Sequence, residues 1–405
     1  MKPAAVLVAL VLGAVVGAVA RLPAAHLIAS AVVWLEPFGV IFIRLITMVI
    51  VPLVVSSLFV AVASLDSVGR LGRIGGATLL YFIATTFAAA LVGTLVAVAL
   101  HGGAVGVSPL AAPAGVGTST PSDWAATLVS FVPDNLVAVA SRADLLPLLV
   151  GVCIFGAAAT LLEGEPRRLL LDVFRAIDRL SAVVLGWIMA LAPPAVFILI
   201  AAAVQRSGAA VLGDLAWFAA VVVLALLAHV VVVLVPALVV LARQPLAAFL
   251  RETSDALVLA FSTASSSAAL PVSLAAADRL RVPAEARSLV LPAGATINKN
   301  GAAVYKAVTA VFVAHWVGLA IGGGLLVRVV LVATMAAFTG AGVPGSSLVT
   351  TMTVLRAIGL GEEASAAIAL VAGIDRPLDM CRTFVNTFGN LVGAAVVARV
   401  AARRA

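Results

Sequence analysis

The chain has 405 residues, 63% of them hydrophobic and only 11% charged, with a mean hydropathy of +1.23 and a formal net charge of +7. That composition excludes a soluble globular protein and calls for an all-α polytopic membrane protein, because in lipid each segment must satisfy its own backbone polar groups. The positive charge is no nucleic-acid signal, since the arginines sit at the ends of apolar blocks, and Cys153 and Cys381 are too few and too buried in apolar sequence for a disulfide framework or a paired-cysteine metal site.

Residues 4–20 after Lys2 could pass for a signal peptide, but Arg21 and several similar spans follow, so they read as the first transmembrane helix. Apolar blocks then fall near 39–65, 76–100, 124–162, 169–204, 215–242, 287–320 and 365–398. Two further runs, at 253–275 and 327–360, are broken near the middle by Ser, Gly or Pro and read as re-entrant hairpins. Arginines cluster at Arg70/Arg73, Arg167–Arg179, Arg243/Arg251, Arg279–Arg287 and Arg399–Arg404, whereas 102–124 carries no Lys or Arg. By the positive-inside rule that loop is outside and both termini are cytoplasmic, which gives eight spans in a cell (inner) membrane, with the lipid bilayer as partner and no nucleic acid.

In the first half, Pro52 marks a bend in the second block, and APPAVFILIA at 192–201 kinks the fifth. Thr85 and Thr86 are adjacent hydroxyls in the third block; such pairs bond back to the preceding turn or face a cation. His26, His101, His229 and His315 are scattered without ligand spacing and read as packing or interfacial residues.

The second half changes character. FSTASSSAALP at 261–271 places Ser265, Ser266 and Ser267 at a hairpin tip, where hydroxyls and free amides can meet a carboxylate. In LPAGATINKNGAAVYKAV at 291–308, Gly294, Asn298, Asn300 and Gly301 interrupt the helix, and broken helices expose carbonyls of the kind that hold ions in transporters. Lys299 and Lys306 lie here seven apart; Lys2 is the only other lysine. TGAGVPGSSLVTT at 339–351 reads as a second hairpin tip, flexible enough to gate. The last block holds Asp375, Asp379, Arg382, Thr383, Asn386 and Asn390 on a helical stripe roughly 80° wide at about 100° per residue. A charged stripe at membrane depth faces a partner or a cavity. Either Asp379 and Arg382 neutralise each other and hold the bundle together, or the stripe binds a small zwitterion or acid. Two successive units, each a hairpin plus a polar helix, suggest inverted repeats with a midplane site between the tips.

Together SSSAALP, NKNGA, AGVPG and DxxxDxxRTxxNxxGN resemble the dicarboxylate/amino acid:cation symporters, the glutamate transporter family, over about Pro37 to Ala398. The resemblance implies a secondary active transporter rather than an enzyme, without cofactor, built as a homotrimer that moves by an elevator mechanism. Scaffold helices would come from 1–75 and 124–207, and the transport domain from 76–101 and 213–405. By motif, Arg382 would hold a substrate side-chain carboxylate as a bidentate fork and Asp379 the α-amino group. Asn386, Thr383, Ser266, Ser267 and the backbone from Val343 to Gly345 would complete the cage. This favours an acidic amino acid, aspartate or glutamate.

The sequence also departs from the family. NKNGA stands where NMDGT is common, so the sodium-site aspartates are replaced by Asn300 and Asn390, a threonine by Ala302 and a methionine by Lys299. Asn298, Thr85 and Thr86 are kept as ion-coupling candidates. Hard cations are held chiefly by carboxylate and carbonyl oxygens, so the expectation is sodium-independent, proton-coupled transport, with Lys299 as an internal cation and Lys299 or Lys306 carrying a proton. Sodium coupling is the alternative. A Ser/Lys intramembrane hydrolase built on Ser265–Ser267 and Lys299 is the remote one; it lacks a GxSxG elbow and would leave the last stripe idle. A channel would need pore-lining rings instead of one cage.

Overall fold

The structure is a computed structural model that describes residues 3–63, 73–100, 129, 132–142, 145–208, 210–319, 321–339, 346–360, 367–368 and 370–402. The described residues are nearly all helical. In chain order the helices are α1 (Pro3–Val19), α2 (His26–Ala63), α3 (Arg73–Leu100), α4 (Leu136–Ser141), α5 (Leu145–Thr160), α6 (Glu165–Ala190) and α7 (Ala192–Ser207). They continue as α8 (Ala210–His229), α9 (Leu246–Thr263), α10 (Leu270–Arg279), α11 (Ala284–Thr296), α12 (Asn300–Trp316), α13 (Gly323–Phe338), α14 (Ser346–Ala357) and α15 (Asp375–Ala402).

By length and composition, four described helices can cross a bilayer: Pro23–Val60, Ile74–Leu100, Val211–Leu241 and Asp375–Val400. The pair Glu165–Ala190 and Ala192–Arg206 adds a fifth if taken as one span bent by 54°. That bend is the one expected at APPAVFILIA: Pro193 and Pro194 enter at the first turn of α7, where a proline needs no N–H partner. The remaining expected spans are a 17-residue helix, α1, a block divided into α4 and α5, and a block broken into α11 and α12.

Three boundaries differ from the sequence reading. The second block starts at His26 rather than near residue 39, as one 38-residue helix running through Pro37 and Pro52. Its first turns carry Leu27 and Trp34 on the outside, 74% and 71% exposed, so this stretch keeps an apolar face off the core. The sixth block is not a uniform helix. Beyond His229 it passes through two π-helical turns, Val230–Leu234 and Ala237–Leu241, on either side of Pro236. A ring that removes an N–H and crowds the preceding turn explains the widening, and an all-apolar run has no phase from which to read it. Thirdly, Gly294 and Gly301 do not break the seventh block; both lie inside helices, and the break falls at Ile297–Lys299.

Those two glycines set how closely α11 and α12 approach α15. A methyl at Gly294 would come within 2.6 Å of the Asn390 Oδ1, and one at Gly301 within 2.9 Å of the Arg382 Cα and nearer still to its carbonyl oxygen. Replacing Gly301 by Ala therefore forces two helix backbones apart, and we expect destabilisation of about 1–3 kcal/mol. A melting temperature of purified Gly301→Ala equal to that of the parent protein would contradict this close-packing role.

The first hairpin is present as α9 and α10, turning through Ala264 in the left-handed region (φ 51°). Its open end is clamped by Arg279, which donates to Asp255 at 2.7 Å. The second hairpin is α13 and α14; its tip, with Val343 and Gly345, lies outside the described residues. Packing falls into two groups. α1 packs on α7, and α2 on α5, α6 and α7. α3 and α12 pack on each other and on α8, α13 and α15, with α9 and α11 also on α15. Ser57 on α2 joins the groups by donating to the Thr339 carbonyl at 2.7 Å.

Candidate functional site

The break between α11 and α12 is the floor of the site. Lys299 sits at φ −114°, ψ 55°, outside helical geometry, and precedes the first residue of α12. The orphan amide of Gly301 is taken up by Asn386 on α15, whose Oδ1 accepts it at 2.8 Å. Asn386 thus anchors the broken helix to the polar stripe, a role the sequence reading did not assign.

On that floor lies a polar stripe buried almost completely. Asp375, Asp379, Arg382, Thr383, Asn386 and Asn390 are each 8% exposed or less. Arg382 is the largest fully buried side chain. Its Nη1 lies 2.9 Å from Asp375 Oδ1 and its Nη2 3.0 Å from Asp379 Oδ1. The guanidinium carbon is 3.9 Å from the centre of the Tyr305 ring, which adds a cation–π face on α12. Nη1 and Nη2 are at ion-pair distance from the two acids, and Nε has no hydrogen-bond partner among the described residues. The pairing of Asp379 with Arg382 that one reading of the stripe expected is present, and Asp375 joins it. Arg376 stands at the rim, 3.8 Å from the other Asp379 oxygen and 3.5 Å from the Thr263 carbonyl at the end of α9.

At the first hairpin tip, Ser266 is buried and Ser267 exposed. The Ser265 hydroxyl accepts from the Ala268 amide at 3.2 Å, shaping the turn. Sequence reasoning passed over Tyr305 and did not carry Asp375 from the stripe into the candidate cage. Tyr305 had no sequence signal apart from its place next to Lys306; Asp375 had one, its spacing.

A second cluster lies behind the break. Thr86 donates to Asn300 Oδ1 at 3.1 Å and to Asn298 Oδ1 at 3.4 Å, Thr85 bonds back to the Tyr81 carbonyl at 2.8 Å, and Asn298 donates to Asn390 at 2.9 Å. Tyr81 donates to the Gly389 carbonyl at 3.0 Å. These groups, drawn from α3, the break, α12 and α15, bond to one another and carry no carboxylate, and the Asn300 Nδ2 is left buried without a partner among the described residues. Nor do the described residues group three His, Cys, Asp or Glu side chains as metal ligands. Lys299 is 5% exposed, and its ammonium turns back to donate to the Ala295 carbonyl at 2.5 Å, inside the broken helix. It does not snorkel to solvent. Lys306, on the next turns of α12, is fully buried, and its ammonium has no hydrogen-bond partner among the described residues.

A nearly all-helical protein with several apolar helices, a broken helix and a buried charged stripe is a polytopic membrane transporter in outline. Comparison with known proteins makes this specific. Residues 3–400 match the Sodium:dicarboxylate symporter family, and the chain belongs to that family. It is a transporter and not an enzyme. It is 34% identical over 374 residues to a proton/glutamate-aspartate symporter of Escherichia coli, covering 90% of this chain and 85% of the relative. It is 32% identical over 401 residues to a proton/sodium-glutamate symport protein of Bacillus caldotenax, covering 97% and 93%. A C4-dicarboxylate transport protein of Deinococcus radiodurans is 30% identical over 400 residues, covering 97% and 88%.

The family's description implies sodium. The side chains at the cluster behind the break suit it poorly: their oxygens are amide and hydroxyl, without a carboxylate, and Thr86, Asn298, Asn300 and Asn390 are bonded to one another. A monovalent cation there would meet no anionic side chain of the cluster.

Proposed function

We propose that the chain is a secondary active transporter for acidic amino acids, aspartate and glutamate, independent of sodium and coupled to protons. The observation that carries this reading is the Arg382 guanidinium, buried between Asp375 and Asp379 over Tyr305 beside the broken helix. A side-chain carboxylate can take the guanidinium donors as a bidentate fork, displacing an acid that now holds them. Asp379, released from Arg382 by that exchange, then accepts the α-ammonium. Thr383, the Asn386 amide, Ser266, Ser267 and the Val343–Gly345 backbone supply the remaining polar contacts. The relatives named for glutamate and aspartate support the substrate class.

In this reading the polypeptide forms eight spans and two re-entrant hairpins, with both termini cytoplasmic, and assembles as a homotrimer. Residues 1–75 and 124–207 are the scaffold, and 76–101 and 213–405 the moving transport domain of an elevator. The two packing groups support the partition, since contacts within each group outnumber those between them. Transport by sliding a domain keeps the buried stripe intact, which suits a site whose charges are compensated locally.

The test is uptake of labelled L-aspartate and L-glutamate into proteoliposomes under an imposed pH gradient, a sodium gradient or neither. Saturable uptake driven by the pH gradient alone is expected. No saturable uptake of either amino acid under any gradient would refute the substrate assignment, and uptake only with sodium the coupling. A sodium-coupled reading draws on the oxygen-lined cluster of Thr85, Thr86, Asn298 and Asn300 and on relatives named for both ions.

A further inference from the structure

We infer that Arg376 takes the α-carboxylate of the substrate, so that Arg382, Asp379 and Arg376 read an acidic amino acid from end to end as a line of alternating charge. This rests on the reading of the chain as a transporter of acidic amino acids and deepens it. In that reading Arg382 takes the side-chain carboxylate and Asp379 the α-ammonium, and the second carboxylate has no cation assigned to it.

Asp379 lies between two guanidinium groups, one at each of its oxygens. Arg382 Nη2 is 3.0 Å from Oδ1, and Arg376 Nη1 is 3.8 Å from Oδ2. Their places on α15 bring this about, because each arginine is three residues from Asp379 and helical neighbours at that spacing meet. Aspartate and glutamate at neutral pH carry the opposite order, an ammonium between two carboxylates. An ammonium seated on Asp379 therefore brings one carboxylate toward each guanidinium.

Arg376 has donors to give. Its distance to Asp379 is well beyond the about 2.7–2.9 Å of a close charge-assisted hydrogen bond. Its Nη2 reaches the Thr263 carbonyl at 3.5 Å, the outer limit of a hydrogen bond. Its Nε is buried and has no hydrogen-bond partner among the described residues. The guanidinium is thus held loosely by two groups, and 13% of the side chain stays exposed. The other cations near the stripe are more enclosed. Arg382 is 1% exposed and already between two acids, Lys306 is fully buried, and the Lys299 ammonium is bonded to the Ala295 carbonyl.

Thr263 fixes where the carboxylate comes to rest. It is the last residue of α9, and Ser265, Ser266 and Ser267 follow at the tip of the first hairpin. A carboxylate on Arg376 lies beside that tip, within reach of its hydroxyls. The bound amino acid then ties the first hairpin to α15 through Arg376.

The experiment is calorimetric titration of the purified full chain with two probes, L-aspartate and L-isoasparagine. The second keeps the ammonium and the side-chain carboxylate but has an amide in place of the α-carboxylate. The unsubstituted protein should bind it roughly tenfold to a hundredfold more weakly than L-aspartate, the worth of one hydrogen bond between charged groups. Arg376→Gln should weaken L-aspartate by the same factor and leave L-isoasparagine unchanged, so that the two probes become equal. Arg376→Lys keeps a point charge and should recover part of the loss. Equal binding of the two probes by the unsubstituted protein would overturn the assignment. Undiminished aspartate affinity in Arg376→Gln would do the same. So would an equal loss for both probes, the signature of an arginine that only positions Asp379 or the hairpin. Where the amide gives no heat with any of the proteins, Arg376→Lys decides, and aspartate affinity no better than in Arg376→Gln refutes the contact. Failure of the underlying reading looks different: the unsubstituted protein then binds neither L-aspartate nor L-glutamate.

Discussion

Arg382→Ala abolishes binding of aspartate and glutamate. Arg382 is 1% exposed, lies between two carboxylates and rests on the Tyr305 ring. Without it the substrate side-chain carboxylate has no bidentate partner, and Asp375 and Asp379 face each other unpaired in a dry site. Removing one member of a buried charged group costs about 3–5 kcal/mol, which corresponds to a loss of affinity of roughly two to four orders of magnitude. Arg382→Lys should also bind weakly, because an ammonium is a point charge without the fork and without the same stacking on an aromatic ring. Asp379→Asn should lose affinity too, by removing the acceptor for the α-ammonium. The check is calorimetric titration of each purified variant with aspartate, alongside its melting temperature. Arg382→Ala binding aspartate at near wild-type affinity would remove the site from this stripe.

The second expected result is that aspartate affinity is the same in choline and in sodium buffer. The groups that would receive sodium are bonded to each other through Thr86, Asn298, Asn300 and Asn390, and both asparagines that replace acids are neutral. The Lys299 ammonium is buried and donates to the Ala295 carbonyl within the broken helix. Lys299→Met should weaken aspartate binding equally in both buffers. A steep, saturable gain in affinity of the unsubstituted protein with rising sodium would sink this expectation, whatever the asparagines suggest.

Much of the fold was legible because it repeats a strong physical constraint. An apolar block of about 20 residues has few fates other than a membrane helix, and the polar residues that interrupt such blocks mark breaks. Hence the broken seventh block, the bend at APPAVFILIA and the hairpin at FSTASSSAALP could all be read from residues alone. The stripe on α15 was legible for a related reason. Six polar side chains at helical spacing in lipid must share a face, and that face must meet something polar.

What those side chains meet was decided only by the tertiary structure. Nothing local says that Asn386 would close the open amide of Gly301, or that the asparagines and threonines would bond to one another across three helices. Hydrogen-bond partners far apart in sequence depend on helix rotation and depth, and an all-apolar face leaves both free; the π turns around Pro236 were invisible for the same lack of phase. Tyr305 looked like one more apolar position until α12 came against α15, at a distance that Gly301 allows. The two lysines looked equivalent, seven residues apart on one segment. The break in the backbone separates them, turning one ammonium onto a carbonyl and leaving the other without an acceptor. Composition and spacing therefore determined that this chain spans a membrane and buries a charged stripe, whereas the division of roles within the stripe required the packed helices that compensate each charge.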